Sequence, residues 1–239
     1  MVDTPDLKSV DSNGREGSSP STPMQDKRVE GTLTRVDPFY LPMFLYENAV
    51  NDIQSEALVK MCAEQEYHPS VLPEYGEEEA KLSTGISVDK KVLHSIPDMK
   101  KHFELLIQDI SFQVLRQNSE GFEIKSSWTT KTEKGQSSRM HLHKNYYFSA
   151  ILYLQEDNNL VLKCPWWDKG SFLFPVYQQS PYTCDSTLVS APKNSLLILP
   201  SWVMHEIPKW QKDEIRYSIA MNIHPVGEYG VSTSWIEVK

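Results

Sequence analysis

The chain has 239 residues, 24 Lys and Arg against 32 Asp and Glu, and a formal net charge of -8 at pH 7. That length supports one substantial core. The acidic balance and the absence of any Lys/Arg run argue against nucleic acid as the chief partner, because phosphate binding needs clustered positive charge. Cys62, Cys164 and Cys184 form no CxxC pair, and an odd number fits poorly with a disulfide framework. A reducing, cytoplasmic setting is expected. No apolar run reaches the roughly 18 residues of a membrane span, and the first thirty residues lack the apolar stretch of a secretory signal. The expectation is therefore a chain with no membrane partner; its sequence sets no oligomeric state.

Residues 1–30 are rich in Ser, Pro, Asp, Gly and Lys and nearly free of large apolar side chains. They cannot offset their own ordering entropy, so a flexible tail is expected. A single domain is expected over 35–239, opening on the aromatic stretch Phe39–Tyr46, a strand broken by Pro42. Ile53, Ala57, Leu58, Met61 and Cys62 then recur at helical spacing behind the capping pair Asn51-Asp52. In a second helix, Ser95 supplies the cap and Pro97 the first turn, with an apolar stripe of Met99, Phe103, Leu106, Ile107, Ile110 and Val114.

From Phe122 the texture changes to short β-branched or aromatic segments separated by Pro, Gly, Asn and Asp. These are Ser127–Thr132, Tyr146–Leu154, Ser171–Val176, Ser195–Leu199 and Arg216–Ile223. Helices over about 48–118 followed by strands over about 122–239 predict a mainly β, double-layered fold buttressed on one face by the N-terminal helices. There are no internal repeats and no glycine-rich phosphate loop, so dinucleotide and P-loop readings have no support.

The chemistry-bearing residues lie in the second half. His141 and His143 are two apart, so in an extended chain both imidazoles face one way. His205 follows in Pro200-Ser-Trp-Val-Met-His205, and eleven residues later Arg216 and Ser218 share one face of a strand whose other face carries Tyr217, Ile219 and Met221. Imidazoles suit iron, copper and zinc, and a guanidinium fork beside a hydroxyl suits a carboxylate. Asn222 has the parity of Arg216 and is either a cavity residue or an ordinary polar strand end. An HxH pair alone proves little; its company with His205 and the Arg216/Ser218 pair gives it weight. His68, His94, His102 and His224 lack such company and are read as structural or surface residues. Glu206, next to His205, points to the opposite face. The aromatic insert with Cys164-Pro-Trp-Trp-Asp168 and Gln178–Tyr182 is read as a lid or substrate wall, with Trp166 and Trp167 serving mainly to cover the hydrophobic edge. Trp202 is read as packing, and Ser201, Cys164 and Cys184 have no motif for a nucleophilic role.

Taken together, His141-Leu-His143, Tyr146–Leu154, Leu199–His205 and Arg216–Asn222 resemble the iron(II)- and 2-oxoglutarate-dependent oxygenases, and among them a branch common in bacteriophages and bacteria. The resemblance spans about Trp128 to Asn222. It implies a double-stranded β-helix, a cupin-like jelly-roll, with Fe(II) and 2-oxoglutarate as cofactor and co-substrate. It also implies His141 as first ligand, His205 as distal histidine, and Arg216, Ser218 and Tyr153 around the distal carboxylate of 2-oxoglutarate. His143 stands where that superfamily usually has Asp or Glu. Three readings stay open: His143 as third ligand, a two-histidine site completed by water or an anion, or a shifted register with His143 first and Asn145 in the carboxylate position. The implied activity is hydroxylation of a protein side chain or small molecule, yielding succinate and carbon dioxide, with no catalytic side chain beyond the metal ligands. The alternative is a cupin-like metal protein without 2-oxoglutarate chemistry, either a three-histidine dioxygenase or a structural module.

Overall fold

Asn51 begins the first helix by capping it reciprocally. Its side chain accepts from the Gln54 N–H at 2.9 Å, while the Gln54 side chain accepts from the Asn51 N–H at 2.9 Å. The helix, α1 (Asp52–Ala63), buries Ser55, Leu58 and Cys62. Ile53, expected on the apolar stripe, is 81% exposed. At about 100° per residue it lies some 200° from Ser55, on the far side of the helix. The computed structural model describes residues 42–115, 120–156, 158–165, 184–230 and 232–238, all within one compact unit, Leu41–Lys239. The expected tail over 1–30 and the expected strand Ser171–Val176 lie outside the described residues, as do Trp166, Trp167 and Gln178–Tyr182.

After the short α2 (Glu77–Lys81), the long helix α3 spans Pro97–Gln113. Pro97 takes the first turn as expected, but Ser95 does not cap. Its hydroxyl donates to the Val92 carbonyl at 2.6 Å, inside the preceding 3-10 turn, and Ile96 holds the cap position with no side-chain bond. Phe103, Ile107 and Ile110 are buried, whereas Val114, beyond the last turn, is 60% exposed.

The strands are β1 (Phe44–Tyr46), β2 (Tyr67–Pro69), β3 (Gly85–Ser87), β4 (Gly121–Thr132), β5 (Phe148–Tyr153), β6 (Asn158–Lys163), β7 (Ser186–Ala191), β8 (Ser195–Pro200), β9 (His205–Glu206), β10 (Arg216–Tyr229) and β11 (Ile236–Val238). The larger sheet runs β1-β8-β5-β10-β4-β3-β2, with β11 on β10, and the smaller runs β7-β6-β9. His141 extends the smaller sheet by pairing with His205, each N–H donating to the other's carbonyl at 2.9 and 2.8 Å. From β4 to β10, with the His141 segment counted as a strand, the chain therefore crosses between the two sheets at each step except β6 to β7, which pair within the smaller sheet, the pattern of a double-stranded β-helix.

Two apolar layers hold this arrangement together. Phe103, Ile107 and Ile110 of α3 and Leu58 and Cys62 of α1 pack on Phe148, Leu152, Ile198, Ile219, Met221 and Ile223 of the larger sheet. On its other face, Ile151, Tyr153, Leu197 and Leu199 meet Leu160 and Leu162 of the smaller sheet. The helices thus back the β-fold on one face, as the sequence pattern predicts.

The capping contrast is directly measurable. Asn51→Ala should lower the stability of the chain by about 1 kcal/mol. Ile53→Ala should change it by no more than about 0.5 kcal/mol, because that side chain is in solvent. Denaturant unfolding of both variants checks the pair.

Candidate active site

Strand β10 supplies one wall. Arg216, Ser218, Ala220 and Asn222 alternate with Tyr217, Ile219 and Met221, and the second set packs against the helix-side core. The first set consequently faces the smaller sheet. β4 reaches the same wall through a register shift: Asn222 pairs with Ser126 but Ile223 with Ile124, so Lys125 is an extra residue. Before it, Phe122 and Ile124 point into the helix-side core. After it, the parity inverts and Trp128 and Thr130 face the site.

His141, His143 and His205 converge from three places. His141 pairs beside β9, His143 follows in a loop whose N–H donates to the Ser201 carbonyl at 2.8 Å, and His205 opens β9. One ligand atom from each lies within 4.8 Å of the others. Their ring centroids are 4.5 Å (His141–His205), 5.1 Å (His143–His205) and 5.2 Å (His141–His143) apart. Trp128 stacks on His143 at 5.6 Å. Asn145 sits in a turn at φ 69°, exposed, and does not join the group; neither does Glu206.

The tautomers follow from the hydrogen bonds. His141 Nδ1 lies 2.8 Å from the Arg139 carbonyl and His205 Nδ1 2.8 Å from the Val203 carbonyl; a carbonyl can only accept, so both nitrogens carry the proton. His143 Nδ1 lies 2.5 Å from Asn222 Oδ1, while Asn222 Nδ2 donates to Ser126 Oγ at 3.1 Å. That orientation makes Oδ1 the acceptor, so His143 also donates from Nδ1. All three Nε2 lone pairs are left for a metal, the arrangement that fixes ligating histidines. Burial pulls the His205 pKa down to about 3, helped by neighbouring His141. Burial also lowers that of His143, against the opposing hydrogen bond to Asn222. Both rings are therefore neutral at pH 7, the form that ligates.

The three histidines and Ser218 line an inner chamber of about 80 Å³, together with Trp128, Thr130, Ser149, Leu160 and Ile207. An outer cleft of about 810 Å³ opens onto His141 and His143 and includes Asn222. Arg216 and Tyr153 line neither space; they lie buried beside the chamber, Tyr153 facing Ser218 across the β5–β10 pairing. Arg216 is 3% exposed, and among the described residues no carboxylate pairs with it. Its guanidinium lies 5.0 Å from the ring centre of Trp210. The Tyr153 hydroxyl is buried with no hydrogen-bond partner, and burial raises its pKa. Ser218 Oγ shares a hydrogen bond of 2.6 Å with Thr130 Oγ1. An unpaired buried cation and an unpartnered hydroxyl beside two further hydroxyls fit a bound carboxylate.

The remaining histidines stay outside this group. His102 contacts the Ala49 carbonyl, and His68 and His224 the Pro69 and Pro225 carbonyls. Trp202 is 50% exposed and does not serve as core packing. Sequence reasoning missed Trp128, Thr130, Ser149 and Trp210. No sequence signal marked Trp128 and Thr130, because their positions continue the alternation of Phe122 and Ile124 and only the extra residue Lys125 turns them to the other face.

Residues 126–222 match the family model described as "Putative 2OG-Fe(II) oxygenase". Among solved structures, a Pseudomonas putida prolyl-4-hydroxylase is similar at 18% identity and a TM-score of 0.52, over 78% of this chain and 94% of that one. HygX from Streptomyces hygroscopicus, with nickel, 2-oxoglutarate and hygromycin B bound, is similar at 13% identity and a TM-score of 0.51, over 77% and 83% of the two chains. SnoN, a non-heme alpha-ketoglutarate-dependent epimerase from nogalamycin biosynthesis, is similar at 10% identity and a TM-score of 0.54, over 79% and 81%. No curated protein matches. The structural likenesses show the fold, and over residues 126–222 the chain is similar to the 2OG-Fe(II) oxygenases.

Proposed function

We propose that this oxygenase hydroxylates a small molecule or a polypeptide side chain at an all-histidine iron site formed by His141, His143 and His205. The observation that carries the reading is the shared tethering of the three rings: each gives its Nδ1 proton to a carbonyl oxygen, which leaves Nε2 as the free lone pair, and one ligand atom of each lies within 4.8 Å of the others. Asn222 then acts by orienting His143 rather than by touching the co-substrate. Trp128 supports the same ring from its face.

When bound, Fe(II) and 2-oxoglutarate supply the oxidation, in which dioxygen cleaves the keto acid to succinate and carbon dioxide while the substrate is oxidised. The protein's part is to bind, orient and keep out water. Three imidazoles leave the remaining coordination positions of an octahedral ion to ligands from solution. Ser218 and Thr130, which line the chamber, would receive the distal carboxylate, with Arg216 and Tyr153 buried beside them to complete the clamp. The same set speaks against a keto-acid-independent dioxygenase, which needs no buried cation there.

The primary substrate would enter the outer cleft, whose walls include Val71, Leu72, Tyr75, Trp128, Leu142 and Tyr146. Among the described residues its fixed charges are Lys90 and Arg139, the latter paired with Glu79, and no carboxylate lines it. Those walls suit a partly apolar or aromatic small molecule or peptide segment. We place the catalytic unit in one domain from about residue 35 onward, preceded by a tail over 1–30. A cytoplasmic setting is consistent with the odd number of cysteines, Cys62, Cys164 and Cys184; among the described residues no helix is long and apolar enough to cross a membrane.

Anaerobic addition of Fe(II) and 2-oxoglutarate should produce a visible metal-to-ligand charge-transfer band, and oxygen should then yield succinate. His205→Ala should abolish the band. An iron-loaded wild-type protein with neither band nor succinate would sink the reading in favour of a metal protein without 2-oxoglutarate chemistry. Arg216→Ala should weaken 2-oxoglutarate binding by about 10–100-fold while sparing Fe(II), the range expected for losing a charge-assisted hydrogen bond. Asn222→Ala should do the reverse, lowering Fe(II) affinity by about 10–100-fold as loss of an outer-shell partner does. Equilibrium titration of metal and co-substrate separates the two.

A further inference from the structure

We propose that Trp210 is a positioning residue for the Arg216 clamp: it covers the guanidinium without neutralising it, so that the N–H fork is kept for a ligand carboxylate. The inference rests on the 2-oxoglutarate reading above.

A buried arginine in a folded protein normally has a carboxylate partner. Arg216 is 3% exposed and has none among the described residues. What covers it is the face of Trp210, itself 6% exposed, with the guanidinium carbon 5.0 Å from the ring centre. An aromatic face attracts a cation through its quadrupole and offsets part of the desolvation, yet accepts none of the in-plane hydrogen bonds that a carboxylate would take. A carboxylate in that place would compete with the ligand. Trp210 does not.

The ring is fixed from several sides. Its Nε1 donates to the Glu214 carbonyl at 2.7 Å, its backbone N–H donates to the Gln136 carbonyl at 2.9 Å, and its own carbonyl accepts from the Gly135 N–H at 2.8 Å. Gly135 has φ +90°, a conformation that favours glycine, so the turn opposite Trp210 is shaped to make that contact. The indole is thereby held as a platform, and Arg216 is laid on it at the start of β10.

The test compares Trp210→Leu, which keeps apolar bulk but removes the aromatic face, with Trp210→Phe, which keeps a smaller one. Fe(II) and 2-oxoglutarate affinities are titrated anaerobically by calorimetry, alongside Tm and the KM and kcat of succinate formation. The expected result is a loss of 2-oxoglutarate affinity of about tenfold in Trp210→Leu, equivalent to about 1.4 kcal/mol, and less than about threefold in Trp210→Phe. Fe(II) affinity should hold in both, and the KM for 2-oxoglutarate should rise more than kcat falls. In the Arg216→Ala background, Trp210→Leu should cost nothing further, because a residue acting through Arg216 has no effect once the guanidinium is gone. Undiminished affinity in Trp210→Leu, equal losses in both variants, or additive losses in the double variant would each overturn the inference while leaving the clamp intact. If Trp210→Leu does not fold, the same cycle with Trp210→Phe decides, and zero coupling overturns it. A wild-type protein that binds Fe(II) but not 2-oxoglutarate removes the clamp reading and this one together.

Discussion

The strict alternation of β10 between two unlike environments is the constraint on which the rest of the structure depends. Tyr217, Ile219, Met221 and Ile223 are held by the helix-side core, and β4 and β5 fix the strand on both edges. A slip of one residue would exchange the two faces. It would put Arg216, Ser218 and Asn222 against Phe103 and Leu152 and send isoleucines into the site. Burying an unpaired guanidinium in that apolar layer would cost several kcal/mol, far more than any local preference could offset. The register that makes the core is thus also the register that makes the site, and α1 and α3 contribute to chemistry they never touch.

The same economy governs the histidines. Packing three imidazoles with centroids about 5 Å apart disfavours charge among them, and burial keeps His143 and His205 neutral. Neutrality leaves each ring one donor and one acceptor, and the carbonyl partners of all three Nδ1 atoms settle which is which. Two of those partners are backbone carbonyls two residues before the ring. His143 alone relies on a side chain from another strand, Asn222, which ties its loop to β10. The odd member of the set therefore comes with its own support.

Much of this was legible in the sequence because it follows from periodicity. The parity of Arg216 and Ser218, the pairing of His141 with His143, the Asn51 cap and the Phe103, Ile107, Ile110 stripe all express a repeat of two or of about 3.6 residues. What escaped is where a repeat is broken or a partner is distant. The extra residue Lys125 inverts the parity of β4, so Trp128 reaches the site although the alternation of Phe122 and Ile124 assigns it to the core. Ser95 looks like a cap by type and position, yet a nearer carbonyl takes its hydroxyl. β6 and β7, with few aromatic residues, carry too weak an alternation to stand out, and β9, at two residues, exists only through its partners. Asn222 was legible as a cavity residue but not as the partner of His143, since that bond spans 79 positions.

The segment between β9 and β10 joins these features. It leaves His205 and arrives at Arg216, so its path sets how the histidine group and the proposed Arg216 clamp lie relative to each other. That path is a ladder against residues 135–141. His205 pairs with His141, the Ile207 N–H donates to Ser138 Oγ and its carbonyl accepts from the Ser138 N–H, and Trp210 exchanges backbone bonds with Gly135 and Gln136. Each rung shortens the freedom of the next, and the ladder ends on the indole that covers Arg216. A connection closed by so many bonds between two functional ends behaves as a spacer, not as a loop. The separation of metal group and clamp is then a property of the smaller sheet's edge. On the proposed reading, a co-substrate held at both ends would read that separation directly, while the outer cleft is built largely from other segments.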